Sequence, residues 1–222
     1  MGDMRTVRRG VWGLLAVSCI LATSNLYGEE ESSPKVIKVE ETWELKVGAP
    51  NQDRNAPQVT MAMSPFSSTA GKHFVLLLNH RTYPDYAAGG LQVQTWNGGQ
   101  LTAYRNGPQG SAELENEDES IRWTQKLTVQ DNSVVFEIVN GTSTSWGTFG
   151  GQGYLRDTAY TGQDNLNSYT PYVSITESGI DYAGNRVVSL VLQRVRWTMS
   201  NGQVYQLDAP IDIDSDLDPW SD

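Results

Sequence analysis

The sequence predicts an all-β protein, a two-layer antiparallel β-sandwich of jelly-roll type, and three observations carry that expectation. Apolar residues recur at every second position along most of the chain, the period of a half-buried strand. Asn-Gly pairs fall at hairpin spacing and supply the positive φ angles that tight turns need. Nothing between residues 36 and 208 carries a sustained 3.6-residue pattern with caps.

In order along the chain, "VIKVEETWELKV" places Val39, Trp43, Leu45 and Val47 on one face, with Lys38, Thr42, Glu44 and Lys46 on the other. "QVTMAMS" repeats the pattern with Val59, Met61 and Met63, and "SIRWTQKLTVQ" with Ile121, Trp123, Leu127 and Val129. "HFVLLLNH", "SVVFEIVN" and "RVVSLVLQRVRW" are apolar on both faces for part of their length, which places them centrally in packed sheets. Asn97-Gly98 and Asn201-Gly202 each separate two strand-like segments, and Asn106-Gly107, Asn140-Gly141 and Gly184-Asn185 add three further breaks. About a dozen strands, each with one oily face, cover one another as two stacked sheets. One sandwich over residues 36 to 210 is the expectation; the run "ELENEDES", residues 113 to 120, is short, lacks Pro and Gly, and reads as an edge loop rather than a linker between two sandwiches.

Residues 1 to 28 read as a secretory signal: Arg5, Arg8 and Arg9 precede an apolar run from Val11 to Ala22 and then small residues. That run is shorter than the roughly 20 residues a bilayer span needs. Cleavage follows either Ala22-Thr23-Ser24 or Leu26-Tyr27-Gly28, and the place of Cys19 leaves lipidation as the minority alternative. Residues 29 to 35 form a polar, flexible leader, and residues 211 to 222 an acidic last strand or tail. The expected location is therefore outside the cytoplasm: secreted, periplasmic or in the cell envelope.

The 222-residue chain has a net charge of -10, and loss of residues 1 to 28, with three arginines and one aspartate, takes it to -12. Such a surface repels polyanions, so nucleic acid and anionic lipid are not expected partners. The one cysteine lies within the signal, leaving the processed chain with neither disulfide nor thiol nucleophile, so an apolar core must supply its stability.

No G-x-S-x-G elbow, H-E-x-x-H helix or phosphate-binding loop occurs, and no catalytic residue is assigned. His73 and His80 are an odd number of residues apart on one strand, so they face opposite ways and read as strand-end surface histidines. Glu113, Glu115, Glu117 and Glu119 have the spacing of paired glycosidase acids but lie among polar neighbours, which do not raise a carboxyl pKa. They read as a solvated charge run. The alternating Asp212, Asp214, Asp216 and Asp218 lack the glycine and glutamate of a coiled calcium loop, so no metal or cofactor is expected, with calcium the alternative for the tail.

The remaining chemistry is aromatic and amide: rings stack on the apolar faces of sugars, and amides pair with vicinal hydroxyls. Candidate ligand contacts are Trp146, Tyr154, Tyr160, Asn165, Asn167 and Tyr169, with Trp96 and Tyr104 flanking the Asn97-Gly98 turn. Arg194 and Arg196 join them because Val188, Leu190 and Leu192 precede them on one strand face, which would then emerge from the core at a groove. In the stretch "NGTSTSWGTFGGQG" the glycines read first as bend or bulge positions, and Thr144, Trp146 and Thr148 as one strand face packed on the core.

The phrases "ETWELKVGAP", "NAPQVTMAMSP" and "GNRVVSLVLQRVRW" resemble secreted proteins of unknown function from planctomycete-type bacteria, and the fold expected here is similar to concanavalin-like jelly rolls. That resemblance implies a class hosting lectins, hydrolases and lyases and assigns no activity. The first functional expectation is a non-catalytic exported sandwich binding glycan or another envelope component through an aromatic and amide groove. The alternatives are a structural or protein-interaction module of the cell envelope, and a polysaccharide-cleaving enzyme.

Overall fold

The computed structural model describes residues 33 to 49, 56 to 79, 90 to 108, 112 to 208 and 210 to 213. Residues 1 to 28, where the signal is expected, most of residues 29 to 35, His80 and residues 214 to 222 lie outside them. Two antiparallel sheets stack face to face. The strands are β1 (Val36–Val47), β2 (Gln58–Met63), β3 (Lys72–Leu78), β4 (Leu91–Asn97), β5 (Gln100–Asn106), β6 (Ser120–Gln130), β7 (Ser133–Ser143), β8 (Gly147–Phe149), β9 (Arg156–Tyr160), β10 (Gly179–Tyr182), β11 (Val187–Met199), β12 (Val204–Leu207) and β13 (Ile211–Asp212). The larger sheet has the order β12-β11-β1-β6-β7-β8, with β13 also on β11 and β9 also on β7; the smaller has the order β10-β2-β3-β4-β5. As the sequence implies, the segments apolar on both faces, β3, β7 and β11, are flanked on both sides.

The alternating residues meet between the sheets. Val39, Trp43, Leu45, Ile121, Trp123 and Leu127 of the larger sheet are fully buried against Val59, Met61, Met63, Phe74 and Leu76 of the smaller. Phe74 and Phe136 stack across the layers, ring centroids 5.2 Å apart and 5° from parallel. Trp197 is half-buried against the same core.

Turn chemistry fixes the hairpins. The β4–β5 turn is Gly98-Gly99, not the expected Asn97-Gly98: Asn97 ends β4 opposite Gln100, and Gly98 supplies the positive φ (55°). β11 and β12 are joined by residues 200 to 203, where Gly202 (φ 84°) and not Asn201 takes the positive φ. The β6–β7 connection uses Asp131 and Asn132, both at positive φ (48° and 58°), a two-residue turn that lacks glycine and escaped the sequence reading. Asn140-Gly141 is no break: β7 continues through it, and the register against β6 shifts there, with Asn140 at φ 52°.

Among the described residues one α-helix interrupts the β pattern. α1 (Pro171–Glu177) is too short to show helical periodicity, but its start is written in the sequence: Thr170 Oγ1 accepts from Tyr172 N–H at 3.3 Å and proline occupies the first helical position. Arg186 is buried in a 3-10 turn (Gly184–Arg186) before β11. Its guanidinium donates to the carbonyls of Gly48, Ala49, Leu114, Glu115 and Asn116 at 2.7 to 3.2 Å, binding the end of β1 to the 3-10 turn at Ala112–Glu115.

The glycine-rich stretch is structural. Trp146 lies in the turn before β8 rather than on a strand face with Thr144 and Thr148, because the chain reverses at residues 144 to 146 to pair β8 with β7. Trp146 packs edge-on against Phe149 (centroids 5.9 Å, 89°). The Phe149 ring covers Gly141 so closely that a β-carbon there would come within 2.5 Å of Phe149 Cε2. Gly141→Ala is therefore expected to destabilise the fold by about 1–3 kcal/mol through overpacking, read as a lower urea midpoint at unchanged slope; an unchanged midpoint would show that the ring is free to move aside.

Candidate functional site

The outer face of the smaller sheet carries the most organised polar and aromatic surface. In "LQVQTWN" Leu91, Val93 and Thr95 turn inward and are buried, which turns Gln92, Gln94 and Trp96 outward. Cross-strand pairing sets His73 opposite Trp96, Val75 and Tyr104 opposite Gln94, and Asn106 opposite Gln92. A directed chain of hydrogen bonds runs along this face: Trp96 Nε1 donates to Gln94 Oε1 (2.8 Å), Gln94 Nε2 to Gln92 Oε1 (2.6 Å), and Gln92 Nε2 to Asn106 Oδ1 (2.8 Å). Each amide oxygen and nitrogen in the chain keeps a second lone pair or N–H for a ligand.

At the Trp96 end the face deepens into a hollow of about 480 Å³ lined by Thr60, Ala62, Thr69, Ala70, His73, Val75, Trp96, Gly98, Gly99 and Glu177. Its floor is apolar, and the indole and imidazole lie nearly parallel beside it (centroids 6.3 Å, 13°). His73 Nδ1 is 3.2 Å from the Gly71 carbonyl, an acceptor only, so the contact is made with the proton on Nδ1. His73 is buried in this stack, not a surface residue as the sequence suggested.

Glu177, at the end of α1, supplies the carboxylate wall, with the Thr69 hydroxyl 3.5 Å away. What holds α1 in place is Glu41, a residue the sequence reading passed over although its odd number puts it on the inward face of β1 between Val39 and Trp43. It is fully buried. Trp43 Nε1 (3.0 Å) and Gln125 Nε2 (2.6 Å) donate to its Oε2; Tyr169 OH (2.5 Å) and Ser174 Oγ (2.6 Å) donate to its Oε1. Ser174 is in α1, and Ser178, which caps the helix, accepts from Ala62 N–H of β2 at 2.8 Å. Burial pushes the Glu41 carboxyl above its ordinary 4.5, against the opposing pull of four donors. Burial also pushes the Tyr169 phenol well above its ordinary value, and the Glu41 charge adds to the shift.

The other acidic candidates separate. Glu115 is half-buried and Glu117 exposed, whereas Glu119 is 1% exposed, so the run is not wholly solvated. Glu119 accepts from the hydroxyls of Ser143 and Ser145, the latter at 2.5 Å, and so fastens the β7–β8 turn. The Glu113 side chain lies outside the described residues. Asp212 accepts from Leu190 N–H at 3.2 Å, and Asp214, Asp216 and Asp218 lie outside the described residues.

The ligand contacts expected from sequence are dispersed. Trp146 and Tyr154 are half-buried against the core, and Tyr154 OH accepts from Gly150 N–H at 2.8 Å. Tyr160 is 67% exposed on β9. Asn165 accepts from Asn167 N–H and Asn167 from Val36 N–H, both at 2.9 Å, turns that dock this loop on β1. Tyr169 is occupied by Glu41. Arg194 and Arg196 leave the apolar face because a bulge between Leu192 and Arg194 reverses the alternation: Leu190, Leu192 and Val195 point inward. Arg194 instead reaches Thr42 Oγ1 (3.4 Å) and Arg196 lies 3.9 Å from Glu40. Only Trp96 and Tyr104, among the aromatics singled out in the sequence, share the organised face. Gln92, Gln94, Asn106 and Glu177 were missed, although the alternation of β4 was sufficient to find the glutamines.

Comparison of the chain with protein-family models, with curated proteins and with solved structures gives no match. Function is argued from the site alone.

The Glu41 cluster makes a pH prediction. Its folded-state pKa is raised above the unfolded value, so folding takes up a proton; the contribution is complete below 4.5 and is lost as pH rises through the folded value. Glu41→Gln is expected to flatten this component of the pH dependence of melting while keeping the contacts, since the Tyr169 and Ser174 hydroxyls can turn to accept an amide N–H. Glu41→Ala strips Trp43, Tyr169 and Ser174 of their buried acceptor and leaves Gln125 Nε2 only the Ala62 carbonyl at 3.5 Å, and is expected to cost about 3 kcal/mol or more. Identical pH profiles for the native protein and Glu41→Gln would refute the assignment.

Proposed function

We propose that this is an exported β-sandwich, of concanavalin-like jelly-roll type, that binds glycan across the outer face of its smaller sheet. The single observation that carries the reading is the directed chain from Trp96 through Gln94 and Gln92 to Asn106, running out of a hollow with an apolar floor. Amides already hydrogen-bonded to one another lose little rotamer freedom on binding, and their unused donors and acceptors suit the paired hydroxyls of a sugar. Trp96 and His73, which line the hollow, offer the apolar complement, and Tyr104, 55% exposed on β5, lengthens the face. A shallow open face of this kind fits affinities from tens of micromolar to millimolar. Export is supported by the charge and apolar pattern of residues 1 to 28.

The second reading, a protein-interaction module of the cell envelope, is favoured by one feature: edge strand β12 leaves Val204, Tyr205 and Leu207 between 45% and 55% exposed.

Titration with a panel of neutral polysaccharides and oligosaccharides, followed by tryptophan fluorescence with and without calcium, tests the proposal. Trp43 and Trp123 are fully buried, whereas Trp146 and Trp197 are half-buried, so the part of the response that is lost in Trp96→Ala is the part assigned to Trp96. Trp96→Ala is expected to weaken binding tenfold or more and Gln94→Ala about three- to tenfold, with little change in melting. No response to any glycan at millimolar sugar rejects the reading, and release of reducing ends would favour the cleaving enzyme instead.

A further inference from the structure

The inner face of β4 changes character at its end. Leu91 and Val93 are fully buried, but the next inward residue is Thr95, whose hydroxyl donates to Asp157 Oδ2 on β9 of the opposite sheet. Arg105 of β5 binds the other oxygen of the same buried carboxylate, Nη2 to Oδ1 at 3.1 Å. Here the sandwich is closed by charge and hydroxyls instead of hydrocarbon, and beside them lies a second hollow of about 390 Å³. Lys72, Thr95, Thr102, Arg105, Asp157 and Thr158 are among its lining residues. That volume lies within the roughly 300–1,000 Å³ of small-molecule sites.

The chemistry of this hollow is that of a donor surplus. Arg105 donates once to its neighbour's carbonyl, Nη1 to Tyr104 O at 2.8 Å, and once to Asp157, leaving three of its five N–H groups. Lys72 Nζ donates to Tyr160 O at 2.6 Å and keeps two. Two cations against one carboxylate make the hollow locally positive in a chain of net charge -10. Asp157 supplies a fixed countercharge that aims the guanidinium, and the threonine hydroxyls offer both donors and acceptors. A neutral apolar ligand would leave these groups unpaired; an oxyanion carried on a polyhydroxylated ring would not. The overall negative charge disfavours a long polyanionic tract, so the fit is to an isolated acidic sugar in an otherwise neutral chain.

The location agrees with that fit. Lys72 precedes His73 in β3 and Asn97 follows Trp96 in β4, so consecutive residues line the two hollows from opposite faces of the same sheet end. We propose that the hollow between β5 and β9 binds a single uronate residue of a glycan, with Lys72 and Arg105 receiving its carboxylate and Asp157 its hydroxyls. The ligand class rests on the glycan reading, but the groups involved do not overlap with the Trp96–Asn106 chain.

Calorimetric titration of the full chain with a glucuronate-substituted xylo-oligosaccharide, its unsubstituted counterpart and inorganic sulfate tests the inference. The substituted oligomer is expected to bind at least tenfold more tightly than the unsubstituted one, with the difference shrinking towards 1 M salt as screening shortens to about 3 Å. Lys72→Gln, which leaves the Asp157 contacts intact, should abolish that difference, whereas Trp96→Ala should lower both affinities and preserve it. Loss of neutral binding alone would defeat the sheet-face reading and leave this one standing. Equal affinities in the native protein, a preference unchanged in Lys72→Gln, or sulfate binding as tightly as the substituted oligomer would overturn it.

Discussion

A carboxyl buried between two sheets without a cation is the constraint on which the seating of α1 beside the outer face of the smaller sheet depends. Among the described residues nothing positively charged pairs with Glu41, so its desolvation is opposed, and only in part, by four hydrogen bonds. Those four come from β1, β6, the segment leading into α1, and α1 itself. Gln125, bonded to Glu41, also comes within 3.5 Å of the Ala62 carbonyl on the opposite sheet. Removing any donor leaves a charge less satisfied in a low-dielectric interior. The helix is thereby seated on the end of the smaller sheet at one position, and with it Glu177.

The rest follows from how unequal sheets cover one another. Apolar inner faces account for the stacking, with the Phe74–Phe136 pair near its centre, and no disulfide assists. Where hydrocarbon gives out at Thr95, the layers are joined by Asp157 and Arg105 instead. The smaller sheet turns its other face outward, and there, among the described residues, the amides of β4 bond one another, Trp96 and Asn106. A polar face already ordered by its own hydrogen bonds and walled at one end by a tethered helix is what the proposed glycan binding would use, because little further ordering would be needed.

Much of the architecture was legible because period two is a strong signal wherever one sheet face is dry. Val39, Trp43 and Leu45, Val59, Met61 and Met63, and Ile121, Trp123 and Leu127 went inward as their numbering demands. The same parity, applied without regard to polarity, would have put Glu41 and Gln125 in the core. A pattern read from apolar residues alone passes over them, because a carboxyl and an amide carry no hydrophobic signal. Arg194 and Arg196 went astray for the opposite reason: parity was trusted across a bulge, and an extra residue in one strand reverses every side chain beyond it. The candidate site was legible only in part. Trp96 and Tyr104 could be noted, but their union with His73 and Asn106 depends on register between strands, which the individual segments do not specify.

The ionisation of Glu41 tests the account most directly. A carbon-13 titration of its side-chain carboxyl in labelled full-length protein should give a midpoint above the ordinary 4.5, with the Tyr169 and Ser174 signals moving in the same transition. A midpoint at or below the ordinary value, without response from those two residues, would mean that water reaches the carboxylate and that α1 is not held by it.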